Sequence, residues 1–158
     1  MAIYTNKIFD ITIIEINPIE YNLKLHDFLE LDLKLEKEEN YILAYFRGKS
    51  IYLLQYDVGE NISVSYSLIK EITDDYRIKY FADTNMGSSG SPILNLRTQK
   101  IIGVHISNRR DKYAINTGIL LNIPINEFIN KNKDYLNSWS LHHNYNKNIN
   151  KDKINNEK

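Results

Sequence analysis

Short runs of β-branched and aromatic residues, each closed by turn chemistry, recur about every ten residues along most of this chain, and that rhythm constrains its fold more than any other feature. Residues 11–16 (Ile-Thr-Ile-Ile-Glu-Ile) stop at Asn17-Pro18, 41–46 (Tyr-Ile-Leu-Ala-Tyr-Phe) at Arg47-Gly48, and 50–56 (Ser-Ile-Tyr-Leu-Leu-Gln-Tyr) at Asp57-Val58-Gly59. Residues 62–72 alternate, with Ile62, Val64, Tyr66 and Leu68 on one face. Further runs at 77–81, 92–94, 100–106, 114–116 and 118–121 complete the series. All are read as strands, and strands so spaced predict an all-β sandwich or barrel. Residues 125–129 read as one or two helical turns closing the domain. The highly charged stretch 27–40 reads as a surface connection between two structural halves.

Composition narrows the function classes. The chain has 158 residues, enough for one domain or for a domain with a tail. Zero cysteines exclude a disulfide scaffold, a thiolate metal site and a cysteine nucleophile. Twenty basic side chains balance twenty acidic ones, which argues against a nucleic-acid binder that relies on phosphate neutralisation. No apolar run approaches the ~20 residues of a membrane-spanning helix. No basic stretch followed by an apolar one opens the chain, so no secretory signal is visible. The expectation is a protein without nucleic-acid or membrane partners, cytoplasmic by default, with neither metal nor cofactor.

From 131 to 158 there are eight Asn and six Lys in 28 residues, too polar a composition to offset its ordering entropy, and this tail is expected to be disordered. Without it the chain holds 14 basic and 17 acidic residues, so the folded part is mildly acidic. His142-His143 has no third ligand nearby in sequence and reads as a solvated pair.

Chemistry concentrates between Asp83 and Pro92, in the run Asp83-Thr-Asn-Met-Gly-Ser-Ser-Gly-Ser-Pro92. Two glycines bracket Ser88-Ser89, and a turn this tight turns backbone N–H groups to one side. The amides of Gly87 and Ser89 can then bond an oxygen that becomes negative in a tetrahedral intermediate, while the Ser89 hydroxyl attacks. Pro92 and a strand follow at once, then Gly103-Val104-His105 after a turn.

Gly87-Ser-Ser-Gly-Ser-Pro92 resembles the Gly-x-Ser-Gly-x-Pro signature around the nucleophile of trypsin-like (chymotrypsin-fold) serine endopeptidases. Asp10-Ile-Thr-Ile-Ile-Glu-Ile16 is similar to the motif that carries that superfamily's triad aspartate, and it precedes the serine, as the family order requires. Thr84, five residues before Ser89, and Gly103-Val-His105 resemble the V8-like, glutamyl-endopeptidase subgroup. The resemblance implies Ser89 as nucleophile, the Gly87 and Ser89 amides as oxyanion hole, and Asp10 as the group that orients a histidine. It also implies Thr84 and His105 at the wall of the S1 pocket, contacting a P1 carboxylate, and Gly103 on the strand along which substrate backbone adds. Peptides or proteins are the implied substrates. Ser88 stands where many members carry an aspartate that pairs with a freed N-terminus, so activation by N-terminal insertion is not expected.

One departure outweighs these agreements. The family's general base is a histidine well before the aspartate, and only nine residues precede Asp10, none of them His. The four histidines are His26, His105, His142 and His143. Without a base a serine hydroxyl is a poor nucleophile, so the chain by itself is expected to be close to inert. Length agrees. The family fold has two six-stranded barrels, and the expected organisation here is a remnant of the first barrel at 1–30, a charged connection at 31–40, the complete second barrel at 41–130, and the tail at 131–158. Three origins stay open: an N-terminally truncated form, a first barrel carried by another polypeptide, or a degenerate paralogue. Two functions stay open with them: a serine endopeptidase lacking its triad histidine, or a non-catalytic pseudoprotease that binds peptides or proteins.

Overall fold

The structure, a computed structural model, describes residues 3–32, 39–56, 61–108 and 115–134. Six strands close into an antiparallel barrel: β3 (Ser50–Tyr56), β4 (Ile62–Ile72), β5 (Arg77–Tyr80), β6 (Pro92–Asn95), β7 (Ile101–Asn108) and β8 (Asn116–Leu120). Their order around the wall is β3-β4-β5-β8-β7-β6. The all-β barrel expectation holds, and the strand runs predicted at 114–116 and 118–121 are met by one strand, Asn116–Leu120. Register shifts between Ile69 and Glu71, Ile93 and Leu94, and His105 and Ser107 mark the bulges that add the twist such short strands need to close. Closure leaves no open strand edge in the barrel.

Alternate side chains fill the interior. Ile51, Leu53, Ile69, Ile78, Tyr80, Ile93, Ile102 and Ile119 are buried together. The filling is tight enough that two wall positions admit no side chain. A Cβ on Gly103 would lie 2.5 Å from the Ile119 carbonyl oxygen, and one on Gly118 would lie 2.3 Å from Ile93 Cδ1. Barrel packing therefore accounts for Gly103, independently of any role towards substrate.

β4 inverts the usual arrangement. Its apolar set, Ile62, Val64, Tyr66 and Leu68, faces outward and is exposed. Ser63, Ser65 and Ser67 face inward, opposite Gln55, Leu53 and Ile51 of β3. The serines carry a structural load that apolar residues could not. The Ser67 hydroxyl donates to the Phe81 carbonyl at 2.6 Å and accepts from the Phe81 amide at 3.1 Å, and the Ser65 hydroxyl donates to the Asp83 carbonyl at 2.6 Å. Gln55 Nε2 donates to the same Asp83 carbonyl at 2.8 Å. These bonds carry the chain on beyond the end of β5, where ladder pairing has stopped.

Residues 41–46 are not a strand. They belong to α1 (Glu39–Phe46), whose Ile42 and Phe46 are wholly buried in the barrel core. An unbroken apolar run is ambiguous between the two periods. Here the i, i+4 spacing of Ile42 and Phe46 supplies a helical stripe, and Tyr41 and Tyr45 stack at 5.7 Å one turn apart. The described start of the charged connection, 27–32, is tied to the barrel. After a 3-10 turn at Leu25–Asp27, Leu31 makes a parallel bridge to Ile101. Asp32 is buried and accepts hydrogen bonds from Thr98 Oγ1 at 3.0 Å and Asn95 Nδ2 at 3.4 Å.

Residues before the connection form a two-stranded sheet, β1 (Ile3–Asn6) and β2 (Ile11–Ile14). The run that begins at Ile11 ends as a strand at Ile14, two residues earlier than the sequence suggests. The hairpin docks through α2 (Asn122–Lys131), where Glu127 accepts hydrogen bonds from the Tyr4 hydroxyl and, at 3.1 Å, from Asn6 Nδ2. Phe9 and Ile11 pack against the barrel core. The helix expected at 125–129 is thus longer, and it reaches back over the hairpin. The tail expectation and the His142-His143 pair fall almost wholly outside the described residues.

Candidate active site

The elbow at Met86–Ser91 is built around two left-handed glycines, Gly87 at φ 98° and Gly90 at φ 88°. That backbone region is costly for residues with a Cβ, which explains glycine at both positions. Between them Ser88 is wholly buried and pins the turn. Its amide donates to the Asn85 carbonyl at 3.2 Å, its hydroxyl accepts from the Asn85 amide at 3.1 Å, and its carbonyl accepts from the Ser91 amide at 3.0 Å. The Gly90 amide donates to the His105 carbonyl at 2.8 Å, and the His105 amide to the Ser91 carbonyl at 2.8 Å, so β7 backs the elbow.

Ser89 stands exposed at the apex. Its hydroxyl donates to the Ile106 carbonyl at 3.0 Å. The backbone N–H groups of Gly87 and Ser89 have no hydrogen-bond partner among the described residues. Two such amides beside an exposed hydroxyl can receive an oxyanion.

Thr84 and His105 border the elbow, each with its hydrogen-bonding sense already set. Asn116 is buried, and its Nδ2 donates to the Ala82 carbonyl at 2.6 Å. Its Oδ1 must therefore accept from the Thr84 hydroxyl, at 2.7 Å, leaving the Thr84 oxygen as an acceptor. His105 is buried, and its Nδ1 lies 2.6 Å from the Tyr80 hydroxyl. Burial pushes the Tyr80 phenol far above its ordinary value and the His105 imidazole below its own. Tyr80 thus keeps its proton and the ring is neutral; with the phenol as donor to Nδ1, the ring carries its own proton on Nε2. That nitrogen has no partner among the described residues.

The structure gathers Gly87, Ser89, Thr84 and His105 at one end of the barrel. Asp10 is not hydrogen-bonded into that group. It closes the β1–β2 turn in the left-handed region at φ 53°, exposed, and it has no hydrogen bond or ion pair among the described residues. The turn is tied to the start of β5, where Arg77 Nη2 donates to the Ile8 carbonyl at 3.2 Å. His26 is exposed, 3.4 Å from Asp27. Sequence reasoning missed Ser88 as the pin, Asn116 and Tyr80 as the groups that orient Thr84 and His105, and Gln55 as the brace beneath Asp83. A strand asparagine 32 residues from Thr84 and a strand tyrosine 25 residues from His105 carry no spacing signal that joins them to these partners.

An exposed elbow serine with two free amides is thus mounted on a closed six-stranded antiparallel barrel. No family model and no curated protein sequence matches the chain. Among solved structures it is similar to the active form of the Rv3671c protease of M. tuberculosis, with a TM-score of 0.46 and 20% identity, over 58% of this chain and 42% of that one. The inactive form of that protease gives 0.45 and 20% over 58% and 48%. Catalytically active tobacco etch virus protease in complex with product gives 0.41 and 23% over 47% and 34%. The chain spans less than half the length of these proteases.

Proposed function

We propose that the chain is the nucleophile-bearing barrel of a trypsin-like serine endopeptidase, acting on peptide or protein substrates through an acyl-enzyme on Ser89. The observation that carries this reading is the pair of unpartnered amides, Gly87 and Ser89, flanking an exposed hydroxyl on a pinned elbow. In the reaction, Ser89 Oγ attacks the scissile carbonyl and its proton passes to a base. The two amides hold the oxyanion, the base returns the proton to the leaving amine, and water repeats the sequence on the acyl group. Substrate backbone adds along β7, the strand that carries Gly103 and runs on to Ile106. Neither described histidine is hydrogen-bonded to Ser89: His105 holds Tyr80 through Nδ1, and His26 lies exposed on the Leu25–Asp27 turn. The base therefore comes from outside the described residues, a first barrel in trans being one source, and Asp10 would orient it.

The S1 wall favours a carboxamide side chain over the carboxylate that the V8-like resemblance implies. Neutral His105 offers one donor at Nε2, and Thr84, its proton given to Asn116, offers one acceptor. A glutamine side chain matches both, through its carbonyl oxygen and its NH2 group. A glutamate would set a second acceptor against the Thr84 oxygen.

A second reading, a non-catalytic peptide-binding module, draws support from the Ser89 hydroxyl resting on the Ile106 carbonyl, an acceptor that cannot take its proton. Labelling with a fluorophosphonate probe separates the two. The isolated chain should stay unlabelled, and added imidazole should bring labelling at Ser89 that the Ser89→Ala variant lacks. Labelling without imidazole would show that a base lies within the chain. No labelling even with imidazole would leave the binding module standing.

A further inference from the structure

The inverted polarity of β4 creates an apolar surface on the far side of the wall from the serines. In the β3–β4 register, Tyr56 lies opposite Ile62, Leu54 opposite Val64, Tyr52 opposite Tyr66, and Ser50 opposite Leu68. All eight side chains point outward, and none is charged. The Tyr52 and Tyr66 rings sit 6.2 Å apart, so the ladder is a packed strip. At its Ser50/Leu68 end the strip opens into a groove of about 690 Å³ whose walls include Phe81, Leu96 and the one charged residue of this face, Lys70, whose ammonium lies 4.7 Å over the Phe81 ring. At the other end Tyr56 and Ile62 are 61% and 63% exposed.

Together the four β4 side chains, Tyr56, Phe81 and Leu96 expose on the order of 800 Å², about what each partner contributes to a standard protein–protein interface and above the patch a typical monomer shows. We propose that this face is covered by a second copy of the same chain, in a two-fold dimer. An uncharged strip can meet itself without like-charge repulsion. Its two unlike ends fit a two-fold axis lying across the strands at the middle of the ladder. That operator sets Tyr56 and Ile62 of the partner subunit over the groove, and the reciprocal contact closes at the same time. The two strips then pack as facing sheets, about 10 Å apart. The proposal makes no use of the elbow and stands apart from the proteolytic reading.

Sedimentation velocity on the full chain tests it. At tens of micromolar the wild type should run at twice 18.6 kDa. Val64→Lys sets like charges against the facing strip and should give a monomer with an unchanged far-ultraviolet spectrum, while Ile19→Lys, on an exposed loop away from the strip, should remain dimeric. Because the chain has no cysteine, Val64→Cys supplies a single thiol, and a short bis-maleimide should link two copies through it. A wild type that is monomeric at every concentration, a Val64→Lys variant that stays dimeric, or a Val64→Cys variant that does not cross-link would overturn the proposal.

Discussion

His105 and Tyr80 form the polar pair on which the site's chemistry turns. Burial lowers the imidazole's pKa beneath its ordinary value, so as the pH falls the unfolded chain takes up this proton before the folded one does. The stability that neutral His105 contributes is complete above about pH 6.5 and is lost as the pH drops through its lower folded value. The thermal midpoint should therefore fall between about pH 7 and pH 5, and less steeply in His105→Gln than in the wild type. Equal slopes would mean that folding leaves the ring's proton affinity unchanged. Tyr80→Phe removes the described partner of Nδ1 and should cost about 1–3 kcal/mol in urea unfolding, the usual penalty for an orphaned buried acceptor. A neutral result would show that water replaces the phenol. The run Gly103-Val-His105 singles out His105 in the sequence. Its charge state is not legible there, because that depends on a tyrosine twenty-five residues away that only the closed barrel brings near.

Period and spacing reveal an element when one face must be buried, and they mislead when the barrel asks something else of it. β3, β4 and β5 stand within a residue of where the alternating runs place them. The 41–46 run fails as a strand because its buried positions are Ile42 and Phe46, a turn of helix apart. Phe46→Ala should accordingly destabilise the barrel by about 3–5 kcal/mol, the cost of emptying a large core site. A loss below about 1 kcal/mol would show that α1 is not part of the core. Gly103→Ala puts a methyl group against the Ile119 carbonyl and should lower the unfolding midpoint without altering the elbow's own turn. β4's alternation was plain in the sequence, but alternation alone does not say which face is inside. The serines point inward because the Phe81–Asp83 segment needs their hydrogen bonds.

At the scale of the whole molecule, a pinned elbow, the oriented side chains of Thr84 and His105 and a free pair of amides share one end of the barrel, and Asp10 enters on a separate hairpin. The Gly87–Pro92 run made the elbow legible because left-handed glycines and a following strand leave a local trace. The relation of Asp10 to Ser89 leaves none, since it depends on how the hairpin docks through α2. The central claim is that the Gly87 and Ser89 amides cradle an anion beside a carboxamide-reading pocket. It is tested most directly by titrating the isotope-labelled chain with a short peptide whose last residue is glutamine with a free carboxylate, following amide resonances by NMR. The Gly87 and Ser89 amides should shift together with the His105 ring, and a peptide ending in glutamate should bind at least several-fold more weakly. Shifts confined to other surfaces, or equal affinity for the two peptides, would contradict it.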